Sequence, residues 1–188
     1  MCAGPISVAD LPFAQPAWQE EDAEWERLQR SAAAALADGD DRLGGERFSR
    51  ALRLARQHFE PGDPRLAASL ASHALMLSKK NDPVAAKLFT EALVQWNRFE
   101  NWLGRQPLPR LARSSLFHLR LEAKHPGAYP DQVRRRCLLL AAEGREAAKV
   151  LAKGGSDRRP DRSWQPDRHA GFDLLRKVTA AVRLMAWR

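Results

Sequence analysis

The chain has 188 residues, of which 44% are hydrophobic, and it carries a formal net charge of +8. Its longest uninterrupted apolar run, Cys137 to Ala142, is far shorter than the roughly 20 residues of a membrane-spanning helix, so no membrane partner is expected. Two cysteines are too few for a disulfide framework, and they lack the spacing of metal ligands. The lack of a basic residue before Arg27 argues against a Sec-type signal peptide. Together these features predict a cytoplasmic protein.

The first part of the chain predicts an arm followed by two helices. Prolines at positions 5, 12 and 16 make residues 1–18 an extended or disordered N-terminal arm. Apolar residues at spacings of three and four then predict a helix over residues 20–37, which Gly39 ends. A second helix is expected over residues 43–59, before the break at residues 61–64.

The remaining helices are predicted from the same periodicity. The third spans residues 64–79, the fourth ends at about Trp96, and residues 97–105 are less regular. A fifth helix over residues 109–123 and a sixth over residues 131–153 follow, with Gly144 inside the sixth at a cost of about 1 kcal/mol. Residues 154–166 form a basic linker, and a terminal helix spans residues 167–187.

Two segments of the chain begin alike. Pro-Arg-Leu-Ala occurs at residues 64–67 and again at residues 109–112, each followed by a serine and a histidine at the same offsets. Repetition at a period of about 40 residues is typical of stacked helix pairs, which usually present a surface to partners. Residues 19–153 are therefore predicted to be one helical repeat domain, with residues 167–188 as a C-terminal helix.

Residues 20–96 resemble tetratricopeptide repeats, in particular the longer repeats of kinesin-light-chain-like proteins. The resemblance rests on Gly44, Phe48 and Ala51, which recur as Ala85, Phe89 and Ala92, and on the opening of the third helix at residues 62–70. It implies an all-α, right-handed array of about three antiparallel helix pairs with a C-terminal capping helix. The asparagines with which kinesin-type repeats bind peptides are absent, since Ala71 and Ser72 stand there.

The resemblance implies that the first helix of each pair lines a concave face that holds a peptide, a helix or the N-terminal arm. Basic side chains on these helices are the candidates for attracting a partner's carboxylates there. The predicted partner-binding residues are Arg65, Lys79, Arg110, Arg113, Arg120 and Trp102. Trp102 has a second interpretation, in which Trp96, Phe99, Trp102 and Leu103 form a core between the second and third pairs.

Charge is distributed unevenly, with a net of −4 in residues 1–60 and +11 in residues 101–188. The basic half contains a candidate basic surface made of Arg134, Arg135, Arg136, Arg158, Arg159, Arg162 and Trp164. It is interpreted as a solvated face, as a contact for an acidic protein or as a contact for nucleic acid, on whose bases Trp164 would stack. Pairing of the basic half with the acidic half of a second copy would give a homodimer.

Residues that carry catalytic chemistry do not form a recognised pattern. The sequence has no phosphate-binding loop, dinucleotide fingerprint, nucleophile elbow or zinc-protease motif. His73 and His118 at equivalent repeat positions are expected to fill space between helices, and Cys137 in an apolar run is expected to be an inert thiol. We therefore expect no enzyme activity, no cofactor and no metal site.

These observations predict a non-enzymatic adaptor or scaffold that mediates protein–protein interaction. The alternatives are a basic helical regulator that binds nucleic acid, and an accessory or maturation subunit that docks on a larger enzyme complex. Steep salt dependence would favour nucleic acid, because phosphate contacts release counterions.

Overall fold

A computed structural model describes residues 20–106, 129–154 and 166–184, which form six α-helices and, within these ranges, no strand. The helices are α1 (Glu20–Ala37), α2 (Asp41–His58), α3 (Pro64–Lys79), α4 (Val84–Leu103), α5 (Tyr129–Gly154) and α6 (Pro166–Leu184). The predicted all-α class is confirmed for this part of the chain. The predicted arm at residues 1–18, the predicted helix at residues 109–123, most of the predicted linker and the last residues of the terminal helix lie outside the described ranges.

The turn between α1 and α2 determines where α2 begins. Gly39 has φ of +82°, and the backbone N–H of Asp40 donates to the carbonyl of Ala35 at 2.8 Å, which closes the end of α1. The Asp40 carboxylate then accepts from the backbone N–H of Leu43 at 2.8 Å. Because Asp40 caps the helix, α2 starts at Asp41, two residues before the predicted Leu43.

The turn before α3 packs against α4 and is hydrogen-bonded to it. Gly62 has φ of +91°, and a Cβ on this residue would lie 2.7 Å from the carbonyl oxygen of Arg98. Its backbone N–H donates to Oε1 of the buried Gln95 at 2.9 Å. The Asp63 carboxylate caps α3, and Pro64 occupies its first position, so the predicted bounds of α3 are confirmed.

Helix α4 continues past its predicted end at Trp96 to Leu103. The extra turns are helical because Phe99, Trp102 and Leu103 continue the apolar face and are at most 3% exposed. Ring centroids are 5.8 Å apart for Trp96 and Phe99, and 5.7 Å for Phe99 and Trp102. Trp102 thus belongs to a buried aromatic row, as in the core interpretation of these residues.

Helix α5 packs directly on this row. A Cβ on Gly144 would lie 2.5 Å from the indole of Trp96, so the glycine that costs helix propensity is what lets α5 approach α4. Helix α5 starts at Tyr129, two residues before the predicted start, and α6 starts at Pro166.

The six helices share one hydrophobic core. Each helix packs against the next one along the chain as far as the described ranges reach, and α6 also packs against α3. Side chains of all six helices contribute to the core, including Leu175, Val178 and Val182 of α6. Helix α6 is therefore part of the same core and covers one side of α3.

Candidate functional site

Arg65 is buried between α1 and α3, although it was predicted to attract a partner. Its guanidinium pairs with Asp22 of α1 and, at 2.6 Å, with Asp63, the cap of α3. The Arg65 Nε also donates to Asp63 at 3.0 Å, and the guanidinium carbon lies 3.8 Å from the ring centre of Phe59. With the residue 9% exposed and two intramolecular carboxylates bound, we assign Arg65 to the α1–α3 interface in place of the predicted partner-binding role.

A hydroxyl next to this cluster connects α1 to α3. Ser69 Oγ accepts from Trp25 Nε1 at 2.8 Å and from Gln29 Nε2 at 3.2 Å, and it donates to the Arg65 carbonyl at 2.8 Å. Since the hydroxyl proton is already committed, the Gln29 amide must face Ser69 with its nitrogen. Gln29 Oε1 is buried and has no hydrogen-bond partner among the described residues.

Besides Arg65 and Trp102, the structure describes four of the residues predicted for a partner-binding or basic surface: Lys79, Arg134, Arg135 and Arg136. Lys79 is exposed, and its Nζ pairs with Asp41 at 2.8 Å. Arg135 and Arg136 are exposed near the start of α5, where Arg134 is half-buried. The remaining predicted residues, Arg110, Arg113, Arg120, Arg158, Arg159, Arg162 and Trp164, lie outside the described residues.

A basic groove of about 540 Å³ lies between α2 and α3. Four cationic side chains line it, against one carboxylate, that of Glu46. Its lining also includes His73, Met76 and Leu77 of α3. The cationic residues of this basic groove are Arg42, Arg50, Arg53 and Lys80.

Few carboxylates among the described residues neutralise these cations. Arg42 pairs with Glu46 at 2.6 Å, and Arg50 lies 3.7 Å from Glu24. Arg53 donates to the neutral hydroxyl of Ser49 at 3.1 Å. Within the described ranges, neither Arg53 nor Lys80 pairs with a carboxylate, and both are exposed. The basic groove thus keeps a positive excess that an anionic partner would neutralise.

His73 forms part of the wall of the basic groove. Burial lowers the pKa of His73 from its ordinary value, the cations of Arg56 and Arg53 lower it further, and Asp82 opposes them. Its Nδ1 is buried and makes no hydrogen bond with any described residue. The predicted space-filling role fits this half-buried position, while His118, its counterpart in the repeat, is outside the described ranges.

Sequence reasoning did not single out the basic groove. A signal was present, because residues 42, 50 and 53 share one face of a helix at offsets of eight and eleven. The net charge of −4 over residues 1–60 gave no indication that this segment contributes a basic surface. The carboxylates of that segment are concentrated elsewhere, with three in the first turn of α1.

A second concavity, of about 320 Å³, lies among α1, α3 and α6 and is called the α6 cavity below. Apolar side chains form much of its wall, with Gln29, Thr179 and Arg183 among its polar residues. The apolar residues are Ala33, Leu36, Ala37, Phe48, Leu75 and Leu175. Lys79 and Arg176, both exposed, line it as well.

Nucleophilic and metal chemistry find little support in the part of the chain that the structure describes. Cys137 is 0% exposed, and burial raises the pKa of its thiol to about 12, so the thiolate is not formed at neutral pH. No group of three or more His, Cys, Asp or Glu residues that could hold a metal ion occurs among the described residues.

None of the described helices has both the length and the apolar character that crossing a bilayer requires.

Comparison of the chain with protein-family models, with curated proteins and with solved structures returned no match. The described residues therefore define the protein by its architecture: a helical protein with one main hydrophobic core and a smaller second cluster, a basic groove and a separate, largely apolar cavity.

Proposed function

We propose that this protein is a non-enzymatic helical adaptor, related in architecture to tetratricopeptide repeats, that holds an acidic segment of a protein partner in the basic groove. The observation that carries the proposal is the excess of cations in that groove, with Arg53 and Lys80 exposed and without carboxylate partners among the described residues. This moves the predicted acidic-partner site from the concave face to the α2–α3 groove.

The predicted concave face is a poorer candidate because its described basic side chains are already paired with carboxylates of the same chain. Arg65 is neutralised by Asp22 and Asp63, and Lys79 is paired with Asp41. Helix α6 packs against α3, the helix that would line the middle of such a face. In the basic groove, by contrast, the half-buried Leu77 offers apolar contact beside the cations, which suits an acidic segment with interspersed apolar residues.

Charge reversal in the basic groove tests the proposal. We expect the Arg53→Glu/Lys80→Glu variant to bind a fluorescent peptide of alternating acidic and leucine residues at least about tenfold more weakly than the wild type at low salt, since two attractions become repulsions. Fluorescence anisotropy measures the affinity. The matched control is Lys87→Glu on α4, which reverses an exposed lysine outside the groove and should leave the affinity within about twofold.

The nucleic-acid alternative makes a different prediction in the same assay. A single-stranded oligonucleotide would bind with a steep dependence on salt, and neutralising Arg134, Arg135 and Arg136 would weaken it more than the groove variant does. That result, or equal peptide affinity for Lys80→Glu and Lys87→Glu, contradicts the proposed adaptor function.

A further inference from the structure

The α6 cavity is an apolar space with an accessible side. Leu75 and Leu175, which line it, are at most 8% exposed, whereas Ala33 and Leu36 are half-buried and Ala37 is exposed. Because these last three residues present surface to the outside, an apolar side chain from outside the described helices can contact them. The volume of about 320 Å³ is at the low end of the roughly 300–1,000 Å³ of ligand sites, which suits one or two side chains.

One face of α1 leads from the start of that helix to the cavity. Ala23, Glu26, Arg30, Ala33 and Ala37 follow one another at spacings of three and four, so they share a face, and each is half-buried or exposed. Ala33 and Ala37 belong to the cavity lining, while Glu26 and Arg30 pair with each other. A chain segment that leaves the start of α1 can therefore run back along this face without meeting an unpaired charge.

The predicted arm, residues 1–18, precedes the start of α1 directly and lies outside the described residues. It contains the large apolar residues Leu11 and Phe13, and Asp10 is its only charged residue. The cavity lining contains three cations and, among the described residues, no carboxylate. An arm without a cation thus meets no charge repulsion there, and apolar side chains gain by leaving water.

The length of the arm matches the distance to the cavity. Prolines at positions 12 and 16 predict an extended backbone, in which Leu11 and Phe13 point to the same side. At about 3.1–3.3 Å per residue, an extended segment that runs back along α1 places Phe13 about 22 Å from Glu20, and Leu11 about 28 Å. At about 1.5 Å per residue of helix, Ala33 lies about 20 Å from Glu20, and Ala37 about 26 Å.

We infer that residues 11–13 of the arm dock in the α6 cavity of the same chain. Phe13 and Leu11 contact the accessible apolar residues Ala33, Leu36 and Ala37, and the arm follows the face of α1 described above. The arm of the same chain is favoured over a separate partner because a short tether gives a millimolar effective concentration, at which weak apolar contacts suffice. Docking closes the α6 cavity and leaves the basic groove, on the α2–α3 side, as the surface open to a partner.

Paramagnetic relaxation enhancement in the full chain measures the docking. A nitroxide label is attached to Ala14→Cys in a Cys2→Ser background, and the buried Cys137 stays unlabelled. We expect the strongest enhancement at the backbone amides of cavity residues, with weaker effects at Ser49 and Arg53 of the basic groove. A mixture of labelled protein with unlabelled, ¹⁵N-enriched protein detects docking between two copies, and it should show no enhancement in the cavity.

Variants on both sides of the contact test the assigned residues. Leu11→Ser/Phe13→Ser should lower the ratio of docked to undocked arm at least about tenfold, since two apolar side chains lose their burial. Ile6→Ser is the control, because residue 6 lies about 22 Å beyond Phe13 in an extended arm. On α1, Ala33→Gln should displace the arm by filling the accessible side of the cavity. Ala34→Gln, at an exposed position outside the lining, should not. Circular dichroism verifies that each variant is folded.

Four outcomes overturn the inference. They are enhancement that is no stronger in the cavity than elsewhere, enhancement that is strongest in the basic groove, enhancement in the mixed sample, which would indicate an arm exchanged between copies, and equal enhancement in Ala33→Gln and Ala34→Gln. The acidic peptide and the groove variants that test the proposed function take no part in this experiment, so either proposal can fail without the other.

Discussion

Arg65→Met should destabilise the protein strongly, because Arg65 is the cation for two buried carboxylates. Asp63 is 2% exposed and Asp22 is 8% exposed, and both face the guanidinium. Removing one partner of a buried ion pair costs about 3–5 kcal/mol, since an uncompensated charge remains. Methionine retains the apolar stem, so lost packing adds little. We expect a decrease in the free energy of unfolding of about 3–5 kcal/mol, which is a large share of the roughly 5–15 kcal/mol of a typical domain.

Urea unfolding monitored by circular dichroism gives this value, with Arg105→Met as the control. Arg105 pairs with Glu60 at 3.0 Å on the surface, and losing an exposed pair costs about 0–1 kcal/mol. Burial raises the pKa of Asp22, while Arg65 opposes the rise. Without the Arg65 cation the pKa of Asp22 rises further in the variant than in the wild type, so protonation stabilises the folded variant more than the folded wild type. The deficit of Arg65→Met should therefore shrink as the pH falls from 7 toward 4. A deficit within about 1 kcal/mol of the Arg105→Met value would refute the assignment of Arg65 to the interface and return it to the surface.

Two further predictions concern Gly144 and His73. Gly144→Ala should lower the free energy of unfolding by about 1–3 kcal/mol because its Cβ would meet the Trp96 indole, whereas Gly45→Ala, whose Cβ would meet only Met76 at 4.0 Å, should raise it by up to about 1 kcal/mol. Chemical denaturation of both variants decides the matter, and a stabilised Gly144→Ala variant would contradict the packing of α5 on α4. His73→Leu should be progressively more stable relative to the wild type as the pH falls below about 6.5, because a lowered folded-state pKa makes protonation favour the unfolded state. Melting temperatures measured from pH 7.5 to 5.0 test this, and a difference independent of pH would count against it.

Helices α1 to α4 could be predicted because the signals that start and end most of them are local. Gly39, Asp63 and Pro64 set helix ends through backbone conformation and capping, which depend on few neighbouring residues. The end of α4 was misplaced because residues 97–103 contain polar residues between the aromatic ones. Only packing on the rest of the core reveals that Phe99 and Trp102 continue one buried face.

The candidate functional surface was harder to predict because a charged residue's ion-pair partners cannot be read from the sequence. Arg65 and Lys80 look alike in the sequence as cations near helix ends. Arg65 finds Asp22 from another helix, whereas Lys80 stays exposed beside Arg53 in the basic groove. The α6 cavity could not be predicted, because it forms only where α6 packs near α1 and α3. The residue pattern of α6 does not indicate which helices it contacts.

The contact between α6 and α3 also affects the order in which the parts of the chain can fold. In a simple linear array each helix contacts only its neighbours, so such a protein can form progressively from one end. Here Leu75 and Leu175, far apart in the chain, line the same cavity. Closing such a long loop is slow and makes unfolding cooperative between the two ends. During synthesis, the α3 surface that α6 covers stays exposed until α6 leaves the ribosome, so loss of a few turns of α6 would also affect α3.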